Sequence, residues 1–126
     1  MKIYLCARFS RKGEMALYAD YLESKGHEVV SSWPWESNKS TDAFLEKASD
    51  RQVAKMAMRD TFEIMECDAV VSFGETPKTP TRGGRHFELG FAAAGGKKIY
   101  HIGPKEHIFH WYPGITYINS VCDITN

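Results

Sequence analysis

Glu88 is an acidic residue close to the start of a small-residue helix, which we predict from Phe87 to Ala94. A loop rich in Pro, Thr, Gly and Arg leads into this helix. Free amide groups and the helix dipole favour an anion there, so Glu88 is expected to be ionised. An ionised carboxylate is the nucleophile that covalent attack on a sugar carbon requires. The alternative is an ordinary first-turn glutamate, which is common in stable helices.

A second acid, Asp60, falls on a long predicted helix in the motif R-D-T-F-E-I-M. Its neighbours Phe62, Ile64 and Met65 are apolar and are expected to pack. Asp60 therefore either belongs to a site with Glu88 or is solvated. Asp68 directly precedes a strand, where a polar residue usually forms a cap or a turn.

Cationic side chains follow two of the predicted strands. In a parallel sheet both loops lie at the same edge, above the place where ligands bind. Bidentate arginine contacts suit phosphate, so a phosphorylated ligand is one interpretation, and solvated loop charges are the other. The residues concerned are Arg8, Arg11, Lys12, Arg82 and Arg85.

The elements that would position these residues alternate between strand and helix. Short apolar runs separated by helical periods are typical of a parallel α/β sheet, here as one domain over residues 1–126. A long helix from Asp42 to Cys67, capped by Ser40 or Thr41, is expected to break at Ser49-Asp50. Five strands are predicted, at Lys2–Ala7, His27–Ser31, Asp68–Phe73, Lys98–Ile102 and Thr116–Ile118.

Two tryptophans, Trp33 and Trp35, follow the second predicted strand. They lie at the sheet edge where ligands bind, so they either line a pocket or cap the core. Farther along, the aromatic stretch of Ile108, Phe109, Trp111 and Tyr112 is either a subunit contact or a segment folded onto its own sheet edge.

The composition argues against several classes of partner and location. The formal net charge is zero, which argues against a nucleic-acid polymer or an anionic membrane as the main partner. Three cysteines, far apart and without a C-x-x-C pair, predict a reducing, cytoplasmic setting without disulfides. No run approaches the length of a membrane span, and the N-terminal apolar run is too short for a signal peptide.

Several motifs together resemble the nucleoside 2-deoxyribosyltransferase family and its relatives, the nucleoside 5′-monophosphate N-glycosidases. They are K-I-Y-L-C-A-R-F-S, H-E-V-V-S-S-W, R-D-T-F-E-I-M-E-C-D-A-V-V, G-G-R-H-F-E-L-G-F-A-A-A-G-G-K-K-I and I-G-P-K-E-H-I-F-H. The resemblance covers nearly the whole chain, and its most specific part is the element around Glu88. It implies a flavodoxin-like, three-layer α/β fold with a central parallel five-stranded sheet.

The resemblance also implies roles. Glu88 would be the nucleophile that forms a covalent glycosyl-enzyme, Asp60 the acid that contacts the sugar, and Tyr4 the residue that positions Glu88. Neither a cofactor nor a metal is implied; the partners would be a nucleoside or nucleotide and a free base, within a dimer-based homo-oligomer. Substrate-binding positions would be Arg8, Phe9, Ser10, Trp33, Arg82, Gly84, His107 and Phe109.

Two positions depart from the family pattern. Arg82 stands where the transferases carry an aspartate and the hydrolases a serine, and a guanidinium cannot act as a general acid. His107 replaces an asparagine that the family supplies from a neighbouring subunit. His107, His110 and Cys122 match zinc spacing poorly, so structural or contact roles are expected for them.

Three functions therefore stay open on the sequence. The first is transfer of 2-deoxyribose between bases, and the second is hydrolysis of nucleoside 5′-monophosphates. The third is a nucleotide-binding protein without catalysis, which the loss of base protonation at Arg82 would allow.

Overall fold

The computed structural model describes residues 1–37 and 42–125. Within these residues, five strands and four α-helices form a largely alternating sequence, joined in places by short 3₁₀ turns. The elements are β1 Lys2–Cys6, α1 Lys12–Ser24, β2 Glu28–Val29, α2 Asp42–Lys47, α3 Asp50–Glu66, β3 Ala69–Phe73, α4 Gly84–Ala94, β4 Lys98–Ile102 and β5 Ile115–Ile118.

The five strands form one parallel sheet in the order β2-β1-β3-β4-β5. This confirms the predicted flavodoxin-like α/β fold. The strand order reverses beside β1: the chain leaves β1 for β2 on one side and later adds β3 on the other. A crevice opens at such a reversal because the loops after the two central strands diverge.

The strands β1 and β3 are buried on both faces, as their continuous apolar sequences predict. On one face Tyr18 of α1 stacks on Phe73 of β3. On the other face Tyr4 and Cys6 of β1 contact α4. The sheet therefore lies between two helical layers, and the side chains of β1 alternate between them.

Several predicted boundaries shift for local reasons. The strand predicted at His27–Ser31 is shorter, because the hydroxyl of Ser31 accepts the Leu5 amide N–H at 3.1 Å in place of a backbone carbonyl. The long helix breaks where expected, and Ser49 caps α3 by accepting the Gln52 amide N–H at 3.2 Å. The predicted cap at Ser40 or Thr41 lies outside the described residues.

The helix α4 begins at Gly84, three residues before the predicted start. Gly83 has φ +88°, a left-handed conformation that favours glycine, and its carbonyl accepts the amide N–H groups of His86 and Phe87. The earlier start leaves Glu88 one turn inside the helix, where its side chain points at the sheet.

Candidate active site

Two side chains of β1 contact the carboxylate of Glu88 from the sheet. The Tyr4 hydroxyl donates a hydrogen bond to Glu88 Oε2, and Cys6 Sγ lies 3.7 Å from Oε1. Tyr4 and Cys6 are two residues apart on a strand, so both point to the face covered by α4. Neither is exposed to solvent. The carboxylate is thus hydrogen-bonded at Oε2 and has a longer thiol contact at Oε1.

The surroundings of Glu88 raise its pKa above that of an ordinary glutamate. Burial raises its pKa to about 7, although the hydrogen bond from Tyr4 opposes this shift. The negative charge of Asp60 raises the pKa further. Burial and the charge of Glu88 also raise the pKa of Tyr4, so the phenol stays protonated and remains a donor. Glu88 is consequently divided between acid and carboxylate near neutral pH.

Asp60 of α3 is half-buried rather than solvated. Burial raises the pKa of its carboxyl group, against the effect of the hydrogen bond from Arg59. Arg59 Nη2 donates to Asp60 Oδ1 at 2.7 Å and also to Glu36. Glu63, one turn along α3, accepts hydrogen bonds from the amide and hydroxyl of Ser32. The hydrogen bond from Arg59 restrains the Asp60 side chain, and Glu63 adds a further negative charge near Glu88.

Glu88 and Asp60 border one cavity of about 600 Å³ at the C-terminal edge of β1 and β3. Trp33 forms part of its wall and is immobilised because its indole N–H donates to the Leu5 carbonyl at 2.7 Å. Trp35 is exposed and does not border this cavity. Six of the predicted substrate-binding residues are brought together here: Arg8, Phe9, Ser10, Trp33, Arg82 and Gly84.

The five cationic residues after the strands differ in the contacts that they make. Arg11 pairs with Glu14 and Glu75, and Lys12 donates to the Glu36 carbonyl. Arg85 is buried and forms a two-pronged pair with Glu106, with both N···O distances at 2.5 Å. These three cations thus bind groups of the protein itself. Arg8, Arg82 and Arg85 all border the cavity.

The predicted substrate-binding residues His107 and Phe109 lie elsewhere. They border a second, largely apolar cavity of about 730 Å³ together with Ile108 and Tyr112. Phe87 borders both cavities. Within one chain, therefore, His107 and Phe109 are separated from Glu88, and their predicted role depends on a second subunit.

A histidine cluster lies beside this second cavity. One ring nitrogen from each of His86, His107 and His110 falls within 4.8 Å of the other two, and Cys122 does not belong to the group. His110 Nδ1 accepts the Glu106 amide N–H at 2.9 Å, so the proton of its neutral ring is on Nε2. His86 Nδ1 and His107 Nε2 already share a hydrogen bond at 3.0 Å. Within the part of the chain that the structure describes, His107 Nδ1 and His110 Nε2 are buried without a hydrogen-bond partner.

Two residues of the site were not predicted from the sequence. Cys6 entered it only as one of three cysteines, and Arg59 only as part of a motif. The alternation of β1 was the available signal for Cys6, since a residue two positions after Tyr4 must share its face. Arg59 carried no such signal, because its partner Glu36 lies in a loop 23 residues away.

Comparison with known proteins adds independent evidence. No protein-family model and no curated protein sequence matches the chain. Among solved structures, the CMP N-glycosidase of Clostridium botulinum is 27% identical, with a TM-score of 0.59 over 95% of this chain and 89% of that one. A 2-deoxyribosyltransferase of Bacillus psychrosaccharolyticus is 19% identical, with a TM-score of 0.68 over 98% of this chain and 89% of that one.

Both structures belong to enzymes that act on nucleosides or nucleotides, by cleavage in the first case and by transfer in the second. Within the described residues, no helix is both long and apolar enough to cross a membrane. The two structures confirm the resemblance that the sequence motifs carried: the chain is similar to the nucleoside 2-deoxyribosyltransferase and N-glycosidase family.

Proposed function

We propose that this chain cleaves the N-glycosidic bond of nucleosides or nucleotides through a covalent glycosyl-enzyme on Glu88. One observation carries the proposal: a carboxylate with a pKa of about 7 borders a cavity of about 600 Å³ and is held there by Tyr4. Glycoside cleavage through a covalent intermediate needs a fixed carboxylate at the anomeric carbon. Similarity to the CMP N-glycosidase supports this reaction class.

The reaction proceeds in two balanced steps. One oxygen of ionised Glu88 attacks C1′ of the sugar, and the C1′–N bond breaks with its electron pair leaving on the base, which takes up a proton. Water or a nitrogen of a second base then attacks C1′, loses a proton, and releases Glu88 as a carboxylate. The negative charge of Asp60 stabilises the positive charge that develops on the sugar in both transition states.

The acceptor in the second step defines two candidate functions. Transfer of 2-deoxyribose between bases is the first, and the similarity to the 2-deoxyribosyltransferase fold is compatible with it. Hydrolysis of a nucleoside 5′-monophosphate is the second. Arg8 and Arg82 at the cavity favour the second candidate, because guanidinium groups bind phosphate in a bidentate manner.

We further propose that the enzyme is a homo-oligomer located in a reducing cytoplasm. The exposed side chains of Ile108, Phe109, Trp111 and Tyr112 support a homo-oligomer in which one subunit covers this surface of another. Cys6, Cys67 and Cys122 are all free thiols, which supports a reducing cytoplasmic location.

A product assay tests the function. The protein is incubated with deoxynucleosides and their 5′-monophosphates, with and without a second free base, and released bases are followed by chromatography. Glu88→Gln is expected to lower base release by about 10³-fold or more, since the amide cannot act as a nucleophile. The matched control Glu66→Gln removes an exposed carboxylate at the end of α3 and should retain full activity.

The outcomes separate the candidates. Exchange of bases identifies the transferase, and release without exchange identifies the hydrolase. A glycosyl mass increase on the peptide that contains Glu88, after rapid acid quenching, identifies the covalent intermediate. Ligand binding without turnover, unchanged in Glu88→Gln, would instead indicate a nucleotide-binding protein and reject the catalytic proposal.

A further inference from the structure

The thiol of Cys6 faces two acceptors and can serve only one of them at a time. Cys6 Sγ lies 3.0 Å from the Arg85 carbonyl and 3.7 Å from Glu88 Oε1. Its side chain is completely buried. Burial and the neighbouring Glu88 charge raise the pKa of the thiol, so the S–H proton is retained. Cys6 is therefore a permanent but weak donor beneath the carboxylate.

The two oxygens of Glu88 are consequently unequal. Oε2 accepts a hydrogen bond from the Tyr4 hydroxyl, which withdraws electron density from that oxygen. Oε1 has only the long contact with Cys6, whose S–H is better placed for the Arg85 carbonyl. Oε1 thus keeps more of the negative charge, while the sulfur beneath it limits rotation of the carboxylate.

We propose that Cys6 is a positioning residue that holds the Glu88 carboxylate in place and leaves Oε1 as the attacking oxygen. The inference rests on the proposed function. A thiol suits this role because it fills the space under Oε1 without binding it tightly. A hydroxyl at the same place would donate more strongly and hold Oε1, and a methyl group would not donate at all.

Other ionisable groups also face Glu88 and influence its titration. Tyr4 and Cys6 approach from β1, the acids Asp60 and Glu63 act from α3, and Arg85 lies near Cys6 on α4. Substitutions at Cys6 leave all the other groups in place. A change in the titration of Glu88 in such variants would therefore report the thiol contact.

The first measurement is a carboxyl ¹³C NMR titration of the full chain, with the Glu88 signal identified by its absence in Glu88→Gln. Cys6→Ala should raise the Glu88 pKa by about half a unit, and Cys6→Ser should lower it by a similar amount, since the donor is removed or strengthened. Cys67→Ala and Cys67→Ser are the controls, because Cys67 is a second buried thiol that donates to a helix carbonyl, that of Ile64 at 3.0 Å.

The second measurement is kinetic. Cys6→Ala should lower kcat/KM about threefold on the acid side of the profile, near pH 6, because a smaller fraction of Glu88 is ionised there. Cys6→Ser should lower kcat at every pH with little change in KM, because Oε1 is held by the hydroxyl. A merely structural role for Cys6 would change stability without moving the pH profile in opposite directions.

The inference is overturned if Cys6→Ala does not raise the Glu88 pKa, or if Cys6→Ser does not lower it. Urea unfolding of both variants checks that they are folded. The NMR titration requires no turnover, so it judges the Cys6 contact even if the wild-type protein releases no base. Absence of base release would reject the proposed function, whereas an active enzyme with an unchanged titration would reject only the role of Cys6.

Discussion

The two carboxylates of the candidate site are restrained by opposite kinds of partner. Glu88 receives neutral donors from Tyr4 and Cys6, whereas Asp60 is bonded to the cation of Arg59. A neutral donor orients a carboxylate without fixing its charge, so burial still raises the pKa of Glu88 to about 7. This difference suits the proposed roles. Glu88, as a nucleophile, must give up its negative charge, whereas Asp60, as an electrostatic partner, must keep its charge.

Arg82 provides a prediction about substrate choice. If the cavity accepts a 5′-monophosphate, Arg82→Ala should raise its KM by about 10- to 100-fold, the effect of one lost hydrogen bond between charged groups. The KM of the unphosphorylated nucleoside should change little. Steady-state kinetics on both substrates measure the ratio. Lys78→Ala is the control because Lys78 is exposed in the same loop but does not border the cavity. Equal effects on both substrates would contradict a phosphate contact.

The candidate site was predictable from sequence to different degrees. Glu88 and Asp60 were predicted from the motifs around them, and the structure places both on one cavity. The ion pairs of Arg11 and Arg85 were not predicted, because their partners Glu75 and Glu106 are distant in sequence and meet them only in the folded chain. Sequence position thus identified the loops that carry cations but not the ion pairs that Arg11 and Arg85 form.

At the level of elements, the parallel sheet followed from the apolar runs, and local hydrogen bonds set its boundaries. The second strand ends early because the Ser31 hydroxyl replaces a backbone acceptor. The start of α4 depends on the left-handed backbone of Gly83. Neither effect appears in hydrophobic periodicity, which reports burial rather than hydrogen bonding.

The ends of β3 and β4 approach each other closely at Gly74. A Cβ atom there would lie 2.1 Å from the Pro104 carbonyl oxygen, so the turn after β4 would have to move. Gly74→Ala should lower the free energy of unfolding by about 1–3 kcal/mol, as overpacking does. Gly90→Ala in α4 meets no atom within 4 Å and should raise it by about 0.5–1 kcal/mol.

Urea unfolding at neutral pH measures both glycine variants. The same chemical change should have opposite signs at the two positions, because one lacks space and the other gains helix propensity. Two variants that shift stability in the same direction would contradict the close packing described at Gly74.

For the whole molecule, the histidine cluster predicts a loss of stability in acid. Burial and the neighbouring rings of His101 and His107 lower the pKa of His110 to about 4. The unfolded chain therefore binds this proton more tightly. The stabilisation from neutral His110 is complete above its ordinary pKa of 6.5 and is lost as the pH falls towards 4, by about 3 kcal/mol at most.

His110→Asn tests this linkage. Asparagine can still accept the Glu106 amide N–H, but it does not titrate. The difference in unfolding free energy between wild type and variant should be largest near neutral pH and should shrink towards about pH 4. Glu88 contributes to both proteins equally, so the difference isolates His110, which is also faced by His86 and Glu106. A difference that is independent of pH would contradict the prediction.

The apolar surface around the second cavity predicts self-association. Ile108 and Phe109 are 76% and 68% exposed, which is costly for a free surface. Ile108→Glu should therefore shift the sedimentation coefficient towards that of a monomer. Leu17→Glu is the control, because Leu17 is an equally exposed apolar residue on α1. A monomeric wild-type protein would contradict the predicted homo-oligomer.

The contact between Tyr4 and Glu88 joins residues 84 positions apart. During synthesis from the N-terminus, Tyr4 and Cys6 are incorporated long before their partner Glu88. The pKa of Glu88 rises from 4.5 to about 7 only when α4 docks on the sheet. Folding between these two pH values must therefore draw a proton from solution at that step. Proton uptake therefore reports the docking of α4, and Glu88 must lose that proton again before it can act as the nucleophile.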